Sequence, residues 1–250
     1  MNSYTTFASV YDDFMDNVPY DEWSVRIHSI LQEHNIKEGL ILDLGCGTGT
    51  MTEKLASYGY DMIGVDNSVE MLQVAGKRKD KSKRNILYLH QDMSEFELYG
   101  TVKAVVCVCD SINYVLEKPE LLKVFSLVNN YLDPGGVFIF DFNTEHKYKN
   151  IIGNGTIAEN RIDKSFIWEN YYHKYKRINE MELTLFIRKD DDLFHRSQEM
   201  HYQKAYTLED MKYAIDKSGL KFVGAFDGYI DADALKNNER ILVVAKKVEK

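Results

Sequence analysis

The chain has 250 residues, with 31 Lys and Arg against 39 Asp and Glu, a formal net charge of −8. Its 44% hydrophobic and 28% charged content suits a globular protein with room for one domain and an insertion; no apolar run approaches the ~20 residues of a membrane span, and net acidity works against polyanionic partners. The opening MNSYTTFASV has neither the basic nor the apolar region of a signal peptide, and three cysteines are too few, and odd in number, for a disulfide framework, so a cytoplasmic protein is expected.

Phe7, Val10, Tyr11 and Phe14 form one helical stripe. A second helix, capped by Asp21, places Trp23, Ile27, Ile30 and Leu31 on one face. These pieces make an N-terminal helical cap, residues 1–35. Strand and helix then alternate. GLILDLG (39–45) is a strand and TMTEKLASYG (50–59) a helix closed by Gly59. YDMIGVD (60–66) is the second strand, and Ser68 caps the helix that follows. NILYLHQD (85–92) and KAVVCVCD (103–110) are the third and fourth strands. In the latter, Cys107 and Cys109 read as small buried hydrophobes on one strand face. A helix starts near Pro119, Asp133–Gly136 turn, and VFIFDFN (137–143) is the fifth strand.

After Asn143 the period changes. Met181, Leu183, Leu185 and Ile187 alternate with polar residues, so 165–206 reads as three antiparallel strands within an insertion of residues 146–206. The core resumes with a helix capped by Thr207 and stopped by Gly219, then two strands, KFVGAFDGYI and ERILVVAKK, in an antiparallel hairpin. The expected fold is α/β: a doubly wound, Rossmann-like seven-stranded sheet with an antiparallel last strand, built from residues 36–145 and 207–250, plus the helical cap and a small antiparallel β insertion over the active site.

ILDLGCGTGT (41–50) carries three glycines just behind the first strand. A glycine-rich turn there brings backbone N–H groups to the sheet's carboxyl edge, where doubly wound folds bind nucleotides. The dinucleotide fingerprint G-x-G-x-x-G/A would end at Thr50, whereas the observed spacing is G-x-G-x-G with Asp43 upstream. DLGCGTGT resembles motif I of the class I S-adenosylmethionine (SAM) dependent methyltransferases. DNSVEML (66–72), HQDM (90–93) and VCVCDSINY (106–114) resemble the family's following motifs in order. The opening YTTFASVYDDFMDNVPYDEW resembles the cap of small stand-alone bacterial methyltransferases, a group that includes amino-sugar N-methyltransferases.

The resemblance implies SAM as cofactor, S-adenosylhomocysteine as product, and a set of binding residues. Asp66 would accept hydrogen bonds from both ribose hydroxyls, with Asn67 beside it. Met71 or a neighbour would pack on the adenine, Asp92 would accept from its amino group, and the Met93 backbone N–H would face the ring, with Gln91 alongside. Gly45, Cys46, Gly47 and Gly49 would lie along the cofactor, and the Cys109 backbone near its methionine part. Asp43 would hold the amino group, directly or through water. Tyr11, Tyr20 and Trp23 would close over the cofactor or pin the cap to the core, and a tyrosine face beside a sulfonium gains cation–π attraction.

Methyl transfer from SAM needs mainly alignment and exclusion of water, so no catalytic dyad is required. Catalytic candidates are Tyr11 and, on a strand face shared with Glu199 and Gln203, His201. Tyr114, Asn113, Trp168, Tyr172 and His195 are available to an acceptor pocket. The expected reaction is transfer to nitrogen or oxygen of a small-molecule acceptor. Asp110, Asp141 and Asn143 sit where catechol-type enzymes hold a metal, but Asp-Phe-Asn departs from that family's adjacent Asp-Asn, and no metal is expected. An RNA acceptor is the alternative suggested by KRKDKSKR (77–84), otherwise a solvated helix end; nucleic acid is not expected. An NAD(P)-dependent oxidoreductase is a further alternative, disfavoured by Thr50. No exposed apolar heptad or interface segment reveals an oligomeric state.

Overall fold

Leu40–Leu44 (β1) is apolar toward both sides of its strand, and in the computed structural model it runs through the interior of a sheet. The structure describes residues 6–190 and 192–248, so the first five residues of the cap fall outside it. The strands that join β1 are Asp61–Asp66 (β2), Ile86–His90 (β3), Val102–Cys107 (β4) and Leu132–Asn143 (β5). Four more, Thr156–Asn160 (β6), Lys164–His173 (β7), Ile178–Asp190 (β8) and Leu193–Lys204 (β9), precede the closing pair, Leu220–Asp227 (β10) and Arg240–Lys247 (β11).

The main sheet has seven strands in the order β10-β11-β5-β4-β1-β2-β3. β1 to β5 are parallel, while β11 runs antiparallel to both of its neighbours. The strand order reverses at β1 and β4, and a crevice opens beyond their carboxyl ends at such a reversal.

Helices cover both faces. On one side Ile27, Ile30 and Leu31 of Tyr20–Glu33 (α2) and Leu55 of Thr50–Ser57 (α3) pack against Ile41, Met62 and Ile139. On the other, Lys118–Tyr131 (α5) and Leu208–Ser218 (α6) press Phe125, Val128 and Ile215 against Leu42, Phe138 and Phe140. Val69–Ser82 (α4) is capped by Ser68, whose Oγ accepts from the Met71 N–H. Asp21 is not a cap: Pro19 holds that position of α2, and Asp21 lies in the first turn, paired with Lys54. The Asp133–Gly136 turn exists within β5, as extra residues between the pairs Val102–Leu132 and Ala104–Val137.

Between β5 and α6 a second sheet has four antiparallel strands, β6-β7-β8-β9, rather than the three expected. The added edge strand β6 is exposed over most of its length and carries no buried alternation to betray it. This sheet meets the cap: Phe14 packs edge-on against Phe166 at 4.9 Å, and Val10, Leu183 and Leu185 complete a small apolar cluster. Arg161 clamps Asp16 through two nitrogens at 2.9 and 3.0 Å. The cap therefore bridges both sheets.

Thr207 starts α6 with a reciprocal box: its Oγ1 accepts from the Asp210 N–H at 3.2 Å while Asp210 accepts from the Thr207 N–H at 3.0 Å. Thr207→Ala is expected to cost about 1 kcal/mol, read by differential scanning calorimetry as a Tm loss of about 2–4 °C.

Candidate active site

The loop after β1 turns into α3 through Gly45–Gly49, and three of its glycines have positive φ. Two of them answer to the protein itself. A Cβ on Gly45, at φ +79°, would stand 2.7 Å from the Ser111 Cβ, and one on Gly49, at φ +76°, would run into the Tyr88 hydroxyl. Gly47 alone of the three has open space where its Cβ would be. Its N–H donates to Asp66 Oδ2 at 2.8 Å, and the Ser68 N–H donates to Asp66 Oδ1 at 2.9 Å. Asp66, at the end of β2, thus ties the glycine loop to the start of α4. Burial nevertheless leaves its carboxyl above the ordinary range.

A cavity of about 430 Å³ opens above this loop, within the range of small-molecule sites. Of the expected cofactor residues, Tyr11, Tyr20, Asp43, Gly45, Cys46, Gly47, Asp66, Asn67, Met71, Gln91, Met93 and Cys109 line it. Three do not. Trp23 stacks on Tyr229 at 4.3 Å; Gly49 packs beneath Tyr88; and exposed Asp92 accepts from the Ser94 N–H at 2.7 Å. The Gln91 side chain folds back on Glu97, accepting from its N–H at 2.8 Å. Thr48, Ser111 and Tyr114 also line the cavity; Tyr114 carried a sequence signal only as a possible acceptor contact, and the other two carried none.

Asp43 is 1% exposed. Its Oδ2 accepts from Thr52 Oγ1 at 2.6 Å, while Oδ1 finds no partner among the described residues. Desolvation, reinforced by nearby Asp66 and opposed by the Thr52 bond, pushes the carboxyl up to about 7. A buried carboxylate oxygen without a donor, beside a cavity edged by glycine backbone, suits a cationic group such as an ammonium. On this test the residues fit SAM, which carries both an ammonium and a sulfonium.

Past β4 the chain makes a turn in which Cys109 (φ +58°) and Asp110 (φ +53°) both adopt left-handed backbone. This corrects the strand reading of 103–110: β4 ends at Cys107, which is buried in the core, whereas Cys109 turns into the cavity. The strain is held by Asp141 of β5. Its Oδ2 accepts from the Cys109 N–H at 3.0 Å and from the Tyr229 hydroxyl, and its Oδ1 from the Asp110 N–H at 2.6 Å and Arg240 Nη1 at 2.8 Å. Arg240 Nη2 reaches Asp110 Oδ1 at 2.7 Å. The guanidinium thus stands between the two carboxylates weighed above as metal ligands. Asn143 is engaged elsewhere, accepting from Lys147 Nζ at 3.0 Å.

The cap closes the cavity from above. The Tyr11 and Tyr20 hydroxyls converge on Cys109 Sγ at 3.8 and 3.6 Å, and burial raises the Cys109 thiol to about 11, keeping it neutral. Asp12 latches the cap to the loop, accepting from Thr48 Oγ1 at 2.7 Å and Arg78 Nη2 at 2.5 Å. Arg84, itself exposed, pairs with buried Glu53 at 2.7 Å. Both arginines of the basic run are therefore spent on internal pairs.

A second cavity of about 230 Å³ adjoins the first between the cap and the four-stranded sheet. Tyr11, Cys109 and Tyr114 line both cavities; Trp168, Met181, Leu183 and His201 line the second alone. Of the other acceptor-pocket candidates, Asn113 is buried and bonds the Asn143 N–H and the Lys204 carbonyl, Tyr172 donates to Glu145, and His195 lines neither cavity.

Asp141→Asn removes the charge facing a buried guanidinium, and a loss of about 3–5 kcal/mol in unfolding free energy is expected by urea titration. An Asp141→Asn/Arg240→Met double variant should recover part of it. Equal losses in both variants would mean that the pair does not set the cost.

Residues 41–136 match the methyltransferase domain family. A methyltransferase of Geobacillus sp. (strain WCH70) is 32% identical over 98% of this chain and 100% of its own. An S-adenosylmethionine-dependent methyltransferase from Clostridium acetobutylicum ATCC 824, known from its crystal structure, is 30% identical, with a TM-score of 0.90 over 100% of both chains. The dTDP-3-amino-3,4,6-trideoxy-alpha-D-glucopyranose N,N-dimethyltransferase of Streptomyces venezuelae is 31% identical over 54% of this chain and 56% of its own. The oxidoreductase alternative gives way to these relatives, and with a motif-I loop, a fitting cavity and kinship over the whole chain, this protein belongs to the class I SAM-dependent methyltransferases.

Proposed function

We propose that this methyltransferase acts on a nitrogen or oxygen of a small molecule seated in the second cavity. The observation that carries the reading is the junction: Tyr11, Cys109 and Tyr114 border both cavities, so donor and acceptor could meet there behind the cap. The Streptomyces relative, which by name methylates the nitrogen of a nucleotide-linked amino sugar, supports a small acceptor.

In this reading the chain's residues bind and orient. Asp43 takes the ammonium of SAM, Asp66 and Asn67 its ribose, Met71, Gln91 and Met93 flank its adenine, and Gly45, Cys46, Gly47 and the Cys109 backbone line the remainder. SAM when bound supplies an electrophilic methyl group on a sulfonium. Tyr11 and Tyr20 present aromatic surface beside that cation, and the cap excludes water, so positioning supplies most of the acceleration, about 7–11 kcal/mol in favourable cases. Residues 36–145 and 207–250 serve as the SAM-binding core, with 1–35 and 146–206 as the acceptor's walls. Among the described residues no helix is long and apolar enough to cross a membrane; with all three cysteines free, we assign the activity to the cytoplasm.

Asp43 gives SAM binding a defined pH dependence. Folded-state burial raises its carboxyl from 3.8 to about 7, so the folded chain holds a proton that the unfolded chain releases, and this group's contribution to stability declines as pH rises through that window. An ammonium at Oδ1 favours the carboxylate, so binding below pH 7 expels the proton. Calorimetry should find SAM affinity rising severalfold or more from about pH 5.5 to about pH 7, a range in which an α-ammonium stays charged. Asp43→Asn should flatten that slope and lower affinity; a flat wild-type profile would remove Asp43 from the ammonium.

The acceptor class is tested with SAM labelled on its methyl group, incubated with the protein and a cell extract that is then split into small molecules, RNA and protein. Label is expected in the small-molecule fraction. Label confined to RNA or protein would overturn the reading.

A further inference from the structure

Three groups stand in series behind the junction of the cavities. The Tyr114 hydroxyl lies 3.1 Å from His201 Nδ1, and His201 Nε2 lies 3.5 Å from Glu199 Oε2. His201 and Glu199 are each 3% exposed, and burying a carboxylate is costly unless its oxygens are engaged. Glu199 Oε1 is engaged by the cap, accepting from the Thr6 N–H at 2.7 Å and the Phe7 N–H at 2.9 Å. Its Oε2 faces the ring. The carboxylate 3.5 Å from Nε2 lies outside hydrogen-bond geometry, and acts through its charge, which favours the tautomer protonated at Nε2 with Nδ1 accepting from Tyr114. The series therefore points one way, from the cavity junction toward Glu199.

We propose that Tyr114, His201 and Glu199 form a proton relay that takes the proton from the acceptor atom during methyl transfer, and that the acceptor therefore arrives protonated, as a hydroxyl. This rests on the second cavity being the acceptor's seat. The sulfonium S–CH3 bond breaks with its electron pair going to sulfur, and the acceptor's lone pair forms the new bond to the methyl carbon. The acceptor proton passes to Tyr114 Oη as the hydroxyl's own proton passes to His201 Nδ1. Glu199 stays ionised opposite the imidazolium, which later loses its proton to solvent. Tyr114 is the catalytic residue; His201 and Glu199 act through it. The other charged groups of the cavity are committed elsewhere: Asp110 accepts from Gln203 at 2.6 Å and from Arg240, and Lys147 donates to Asn143. Because Glu199 is held by backbone of the cap, docking of the cap and assembly of the relay are one event.

Two measurements test it. Nitrogen-15 NMR of the imidazole rings in the SAM-free protein should find His201 protonated at Nε2 and bare at Nδ1. Tyr114→Phe should keep that form and Glu199→Gln should mix it; an Nδ1-protonated ring in the wild type overturns the relay. Label transfer from SAM into the small-molecule fraction of an extract is then followed against pH. Tyr114→Phe and His201→Asn should lose about a hundredfold or more near neutrality, with the SAM affinity of His201→Asn, a position that lines the second cavity alone, unchanged within about twofold as expected of a step made only in the transition state. The deficit should shrink as pH rises and the acceptor ionises unaided. A deficit constant with pH, or none, would overturn the proposal. If the wild type binds SAM yet labels no small molecule, the acceptor assignment fails, and the NMR tautomer still decides the relay.

Discussion

The buried carboxylate of Asp141 is the constraint on which the active centre depends. It accepts from two consecutive backbone N–H groups, a tyrosine hydroxyl and a guanidinium, filling most of the capacity of a carboxylate. Two successive non-glycine residues in left-handed backbone are costly, and they persist only where surroundings over-determine them. Asp141 does so for Cys109 and Asp110, and so aims the end of β4 at the cavity. Arg240 then balances the charge, and Trp23, 5.2 Å from its guanidinium and stacked on Tyr229, closes the cluster from the cap side. A carboxylate pair that could have faced a metal is thereby a scaffold for backbone.

The second device is the cap. Ahead of α2 its described residues make little helix, a single α-helical turn at Tyr11–Phe14. Its position comes from contacts made elsewhere: Phe14 on Phe166, Asp16 on Arg161, Asp12 on Thr48 and Arg78, and two backbone N–H groups on Glu199. These bonds run to the glycine loop, to α4 and to the four-stranded sheet. A single segment thus joins the walls of both cavities, which accords with a reaction whose main requirement is alignment in the absence of water.

Much of the core could be read from local pattern. β1, β2 and β4 are largely buried on both faces and read as mostly apolar runs, α4 and α6 carry their own caps, and the glycine spacing after β1 marks a ligand edge. The sequence was less informative about which of the expected residues face the cavity. Gly49 looked like a ligand contact because Tyr88, the residue that needs its missing Cβ, is remote in sequence. Asp92 looked like one because its turn bond to Ser94 leaves no mark on spacing. β6 escaped because an exposed edge strand has no buried face to impose alternation. The basic run read as a solvated helix end, with RNA as the alternative, and its two arginines pair with Asp12 and Glu53.

By itself the sequence determined the order of elements, the parallel core, the glycine-edged cofactor loop and the acidic residues at Asp43 and Asp66, because each depends on neighbours within a few positions or on a periodicity of two or 3.6. Tertiary structure alone decided which of those residues share a cavity. It joined Asp12 to Arg78, Asp141 to Arg240, and Tyr114 to His201, pairs separated by dozens of residues. Nothing in chain order encodes such meetings directly; they follow from how the cap, the seven-stranded sheet and the four-stranded sheet pack.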